Sequence, residues 1–197
     1  YEEVKQAIKS KSVRALFAES LSNPEGVVSD ITQLSEIAHD EGIPLIIDNT
    51  MATQAMCQPA NYGADIIIYS TTKFLSGHGN AMGGCVVDTG KFDWANNRGF
   101  EKLNEPDTSY HGIKFYETFG NLAYINFCHA CALRDLGTTM SPFNAYLTLT
   151  GIETLNLRMQ KHMSNAEKVA NFLIKHNNVD NVSWSGFQNL SLIHISE

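Results

Sequence analysis

Leu45-Ile46-Ile47-Asp48-Asn49-Thr50 and, further along, Ile66-Ile67-Ile68-Tyr69-Ser70-Thr71-Thr72-Lys73 are the two stretches that decide how this chain is read. Each opens with a short run of branched apolar residues behind a turn signal, Gly42 and Pro44 before the first and Gly63 before the second. That pattern is the sequence form of a strand buried on both faces, and such strands are usually parallel. In an open parallel sheet, ligands bind just beyond the carboxyl ends of the strands. Asp48, which stands 25 positions before Lys73, would emerge at the same edge as the Ser70 to Lys73 segment. One edge would then present a carboxylate, hydroxyls and a primary amine.

Pyridoxal phosphate calls for that set of groups. An amine must condense with the cofactor aldehyde and afterwards move protons, which points to Lys73. A carboxylate must keep the pyridine nitrogen protonated so that the ring accepts electrons, which points to Asp48. The phosphate needs donors, and Ser70 and Thr72, two residues apart, point the same way in an extended segment. Each residue alone has an ordinary reading: Asp48 as a turn former, Lys73 as a solvated loop residue, Ser-Thr-Thr as a helix cap. Their spacing and shared edge favour the joint reading.

Further blocks sharpen it. Asp48-Asn49-Thr50, Gly63-Ala64-Asp65-Ile66, Tyr69-Ser70-Thr71-Thr72-Lys73-Phe74, Gly77-His78-Gly79 and Gly83-Gly84 together resemble the signature of the Cys/Met-metabolism family of pyridoxal-phosphate enzymes. The resemblance runs from about Glu19 to Trp184. Lys91-Phe92-Asp93-Trp94, Glu105 to Gly112, Leu133 to Gly137 and Ser141 to Ala145 make it most similar to the O-acetylhomoserine sulfhydrylase branch. It implies an α/β fold of the aspartate aminotransferase type: a three-layer, parallel-rich sheet of a transferase large domain, then a long helix leading to the start of a small C-terminal domain. It implies 1-140 as the second half of the cofactor domain and 141-184 as connecting helix and small-domain start.

The same resemblance implies pyridoxal 5'-phosphate as cofactor, Lys73 as catalytic residue, and Lys73, Asp48, Ser70, Thr72, Thr50 and Asn23 as cofactor-binding positions, with no metal. Asn23, ahead of Pro24, reads either as a neighbour of the cofactor ring or as a plain turn former. The implied reaction is γ-replacement on O-acetyl-L-homoserine by sulfide or a thiol, giving homocysteine or a related product and acetate. The implied partners are a small-molecule amino-acid substrate, sulfide or thiol, and further copies of the full-length chain in a dimer or tetramer. Two other readings stay open. One is a related enzyme of the family: a cystathionine γ-synthase, an O-succinylhomoserine sulfhydrylase or a methionine γ-lyase. The other is a non-catalytic fragment with a relict cofactor pocket.

Composition bounds these readings. A chain of 197 residues with 43% apolar content can bury one large core. It opens on Tyr1 and lacks the family's N-terminal stacking tyrosine, its glycine-rich phosphate loop and its C-terminal carboxylate-binding arginine, so an incomplete chain that does not turn over alone is expected. A net charge of −7 and a pI near 5.4 disfavour nucleic acid, and no apolar run is long enough for a membrane span. Cys128-His129-Ala130-Cys131 falls in a stretch, Leu122 to Leu136, that reads helical, so the pair is read as packing rather than as a metal site. Reduced thiols fit a cytoplasmic location.

Along the chain, Val13 to Phe17 reads as a strand, and Ser29 as the cap of a helix through Ile31, Leu34, Ile37 and Ala38 that ends at Gly42. Residues 141 to 177 read as a long helical region capped by Ser141, with Pro142 in its first turn and a kink at Gly151. The stripe Leu155, Met159, Met163, Ala166, Val169, Ala170 and Leu173 is expected to face the core. His78 reads as a brace for the lysine loop rather than an acid or base. Two departures from the family pattern, Met51 and Gln54, imply an altered ring pocket, and Ser185 to Glu197 is expected to be a foreign tail.

Overall fold

Four strands form one sheet in the order β1 (Leu16–Glu19), β2 (Leu45–Asp48), β3 (Ile66–Ser70), β4 (Gly84–Asp88). The structure, a computed structural model, describes residues 1–10, 12–97 and 99–187. β1, β2 and β3 run parallel, with Glu19 opposite Asp48 and Asp48 opposite Ile68, while β4 returns antiparallel along β3. The helices are α1 (Glu2–Ser10), α2 (Ile31–Asp40), α3 (Thr53–Met56), α4 (Glu101–Asn104), α5 (Phe115–Phe119), α6 (Ala123–Phe127), α7 (Arg134–Leu136), α8 (Pro142–Ile152) and α9 (Leu155–Leu173).

The alternation of side chains along a strand sorts the isoleucines into two cores. Leu45, Ile47 and Ile67 join Ile31, Leu34, Ile37 and Ala38 of α2 and Ile8 of α1 on one face. Ile66, with half-buried Ile46 and Ile68, packs on the other face against Phe92, Trp94, Leu103, Phe115 and Ala123. Ile47 is fully buried, a placement that contributes about 1.5–3 kcal/mol for a side chain of this size. The parallel strands expected from the two apolar runs, and the three-layer arrangement implied by the family resemblance, are therefore what form. A third, smaller cluster of Leu75, Leu155 and Met159 lies beneath the turn that carries Lys73.

Several local expectations are corrected. The first strand is Leu16–Glu19, not Val13 to Phe17, because its pairing register is set by β2, Leu16 matching Leu45. Asp30, not Ser29, caps α2: its carboxylate accepts from Gln33 N–H at 3.0 Å, while the Ser29 hydroxyl is drawn away to Glu19 O at 2.7 Å. Ser141 does cap α8, accepting from Asn144 N–H. The break in the long helical region falls at Glu153 and Thr154 and not at Gly151. Gly151 has a different duty: a Cβ there would run into the backbone carbonyl of Ser76, so its absence lets α8 close on the lysine turn. Of the expected apolar stripe, Leu155, Met159 and Ala170 are buried, but Met163, Ala166 and Val169 are exposed, because no described residue packs over the outer half of α9.

The helical stretch expected from Leu122 runs from Ala123 to Leu136 with a π-helical segment at Cys128–Leu133, and Cys131 is buried in the aromatic core. Among the described residues no helix is long and apolar enough to cross a membrane. The tail expectation for 185–197 lies, from residue 188 onward, outside the described residues.

Candidate functional site

The carboxyl ends of the three parallel strands stand side by side and deliver Glu19, Asp48 and Ser70 to one cleft of about 610 Å³. Lys73 reaches the same cleft from the turn after β3. Asn23, Thr50 and Met51 complete the wall on the strand side. Phe74, Gly77 and Gly79 from the lysine loop, with Arg158 and His162 from α9, close the opposite side. The volume lies within the range of small-molecule sites.

What holds these side chains is a buried polar network one residue behind them. Asn49, fully buried, accepts from the Ser20 hydroxyl at 2.7 Å and donates to Cys57 O at 2.9 Å and to the Tyr69 hydroxyl at 3.1 Å. Its backbone N–H donates to Ile68 O at 2.9 Å. One amide thus ties the ends of β1, β2 and β3 together with both its side-chain protons and its oxygen engaged. Burial pushes the Tyr69 phenol up from its ordinary range, against which the Asn49 hydrogen bond works; burial likewise raises the Cys57 thiol.

Thr50 adds a second tie. Its N–H donates to Asp48 Oδ1 at 2.9 Å and its hydroxyl accepts from Ser70 N–H at 2.8 Å, so one residue fixes both Asp48 and the start of the lysine segment. The chain then turns sharply. Thr53, buried and β-branched, takes a left-handed φ of +58°, a conformation costing about 1–2 kcal/mol outside glycine. It is held there by donation from its N–H to Asn49 O at 2.8 Å.

The residues singled out in the sequence are not all brought together equally. Asp48, Ser70, Lys73, Thr50 and Asn23 line the cleft. Thr72 does not: its hydroxyl accepts from Gly83 N–H at 3.0 Å, pinning the glycine loop to the lysine turn. Lys73 is exposed, forms no ion pair among the described residues, and sits at φ −87°, ψ −125° inside the turn Thr71–Leu75. Asn23 is exposed and its N–H donates to Glu19 Oε2 at 3.0 Å. His78 donates from Nδ1 to Ser76 O at 2.6 Å and is absent from the cleft wall, a contact that suits a brace.

Three wall residues escape a reading of strand ends alone. Glu19 does so because it closes a strand that the sequence pattern ends two residues too early. Arg158 and His162 do so because an apolar stripe directs attention to hydrophobic positions. A signal was present: both are polar and fall at helical spacing on the face of Leu155 and Met159, where solvent-facing residues do not belong.

Chemically, the cleft offers an amine, two carboxylates, a hydroxyl and a guanidinium edge around one volume. A family model described as Cys/Met metabolism PLP-dependent enzyme matches residues 1–195. The chain belongs to that family. This Cys/Met metabolism chain is 47% identical over 181 residues to an O-acetyl-L-homoserine sulfhydrylase of Leptospira meyeri, covering 88% of itself and 41% of that protein. It is 44% identical over 180 residues to a homocysteine synthase of Schizosaccharomyces pombe, covering 90% of itself and 42% of the relative. A solved O-acetylhomoserine (thiol)-lyase of Campylobacter jejuni, which carries N'-pyridoxyl-lysine-5'-monophosphate, superposes with a TM-score of 0.90 at 36% identity, over 98% of this chain and 49% of that one. The chain thus spans about two fifths of the length of these curated relatives.

Proposed function

We propose that this chain carries the lysine-bearing half of the cofactor domain of an enzyme that replaces the γ-acetoxy group of O-acetyl-L-homoserine with sulfide or a thiol, releasing acetate and homocysteine or its thioether. The observation that carries the reading is the convergence of Lys73, Asp48 and Ser70 on one cleft at the carboxyl edge of the sheet. That donor set fits pyridoxal phosphate: an unpaired amine for the aldehyde, a carboxylate for the ring nitrogen and a hydroxyl for the phosphate. The similarity to enzymes named for this reaction supports the choice within the family.

Bound pyridoxal phosphate supplies an electron sink for negative charge developing on the substrate. The chain's own residues do the rest. Asp48, whose Oδ1 accepts from Thr50 N–H at 2.9 Å, would hold positive charge at the ring nitrogen. Lys73 Nζ, exposed in the cleft, takes and returns protons at the substrate Cα, where fixed orientation supplies much of the rate. Ser70 gives a hydroxyl to the phosphate. Thr72 shapes the phosphate side by holding Gly83, accepting from its N–H at 3.0 Å and donating its one hydroxyl proton to its carbonyl at 3.3 Å; a bond to the phosphate would need that proton turned away from Gly83 O. Asn23, at the mouth, is assigned to the ring edge, and Thr50 to the wall beneath it.

The proposal extends to organisation: residues 1-140 as the second half of a cofactor domain, 141-184 as the connector to a smaller domain, and assembly of the full-length protein as a dimer or tetramer in the cytoplasm. The test is product analysis. The full-length protein, given sulfide, should release homocysteine from O-acetyl-L-homoserine faster than from O-succinyl-L-homoserine. Preference for the succinyl donor, or product only when cysteine replaces sulfide, would move it to another reaction of the family.

A further inference from the structure

The turn that carries Lys73 is closed by Ser76 N–H on Thr71 O at 3.0 Å and Gly77 N–H on Lys73 O at 2.8 Å, but it is not a regular helix. Lys73 departs from helical dihedrals at ψ −125°, so the backbone ladder is interrupted at the residue whose side chain must be aimed. A second support reaches it from outside. The carbonyls of the next two residues are taken by one side chain on α9, that of Arg158. Its Nη1 donates to Phe74 O at 2.8 Å, and its Nη2 reaches Leu75 O at 3.4 Å. The same guanidinium is anchored to its own side by Nη2 to Gly151 O at 2.7 Å and Nε to the Thr154 hydroxyl at 3.1 Å.

Three further observations make this a built contact. All four acceptors are neutral and Arg158 has no ion pair among the described residues, so its bonds are charge-assisted and undivided by a carboxylate. Gly77 leaves room for the guanidinium: it has a left-handed φ of +70°, and a Cβ there would collide with the Arg158 head group. One turn further along the same face, His162 packs edge-on against Phe74 with ring centroids 5.3 Å apart. Arg158 and His162 both line the cleft.

We infer that Arg158 is a positioning residue for Lys73, a clamp that spans from the helix pair to the backbone just after the lysine and fixes the direction in which its amine enters the cleft. The planar fork matters as well as the charge, because a lysine ammonium brings three protons from a single nitrogen to four acceptors and lacks the fixed geometry that spans them. This inference rests on the reading of Lys73 as the cofactor-bearing amine.

The experiment uses Arg158→Lys in the full-length protein, with three measurements. In protein stripped of cofactor, exchange of the Gly77 amide, which bonds to Lys73 O at 2.8 Å, should quicken on the order of tenfold or more as the turn loosens. In loaded protein, the pH midpoint of the bound cofactor's absorbance change should shift. Turnover per bound cofactor should fall on the order of tenfold to a hundredfold with little change in KM, the cost of a misaimed group. Added guanidinium ion should recover part of that loss in Arg158→Ala. Unchanged exchange, midpoint and turnover would overturn the clamp. So would a variant that only melts earlier and loses cofactor, with midpoint and turnover per bound cofactor unaltered, since that is a helix-docking role alone. If Arg158→Lys does not fold, Thr154→Val removes the Nε acceptor, together with that hydroxyl's 3.4 Å contact with Gly151 O, and leaves the guanidinium in place; the same three readings decide, with smaller shifts expected. A separate control guards the premise: if borohydride reduction of the unaltered protein leaves no cofactor on Lys73, the cofactor reading fails, while the Gly77 exchange still judges the clamp.

Discussion

At the carboxyl edge of the sheet, Asn49 and Thr53 are fully buried and the polar groups behind the cleft are bonded to one another across three strands. Along α8 and α9 the situation is reversed: Phe143, Tyr146, Leu149, Leu157 and Phe172 are each more than 60% exposed. The edge is therefore tied together within the described residues by hydrogen bonds that cross three strands. The outer faces of the helices carry apolar surface that no described residue covers. The inner faces are another matter, since Gly151 and Arg158 press on the lysine turn. Each helix is thus part of the site on one side and open on the other, and substitutions on the two sides should behave differently.

The largest effect should come from charge at the edge itself. Asp48→Asn in the full-length protein keeps the hydrogen-bonding shape but removes the charge that, on the proposed reading, holds a protonated ring nitrogen. Turnover should fall roughly a hundredfold, the equivalent of about 2.7 kcal/mol of barrier, while cofactor content measured after dialysis falls far less. Equal loss of both would show that Asp48 binds and does not tune.

A second, intermediate effect separates the two regions by stability. Asn49→Ala takes away a partner from Cys57 O and the half-buried Tyr69 hydroxyl and leaves the Ser20 hydroxyl only its 3.4 Å contact with Asp48 O, and should cost about 2–4 kcal/mol in denaturant unfolding. Leu157→Ala, at a position 70% exposed, should stay within about 0.5 kcal/mol. A large loss at Leu157 would mean that a covering surface exists in solution and that the helices' outer faces are not open.

Much of this edge was legible in the chain because its determinants are local. Two runs of isoleucine and leucine, each behind a turn signal, specify strands buried on both faces, and the residues after each run must emerge at the same edge. The lysine, the carboxylate and Ser70 needed no long-range information. The features that were not legible depend on partners far along the chain. Ser29 and Asp30 are both competent caps, and the choice is made by Glu19 O taking the serine. Thr72 is chemically as good a phosphate donor as Ser70, yet Gly83 captures its hydroxyl. Arg158 finds its acceptors more than 80 residues back, at Phe74 and Leu75, a pairing that helical periodicity does not contain. The exposure of Met163 and Val169 is of the same kind, since a stripe states only that a face is apolar and leaves open what covers it.

The central claim is that Lys73 is the amine on which the cofactor is held. Borohydride reduction of the full-length protein loaded with pyridoxal phosphate, then peptide mapping, tests it directly. The label should sit on the peptide containing Lys73 and be lost in Lys73→Ala; a label on any other lysine, or its persistence in Lys73→Ala, would contradict the account.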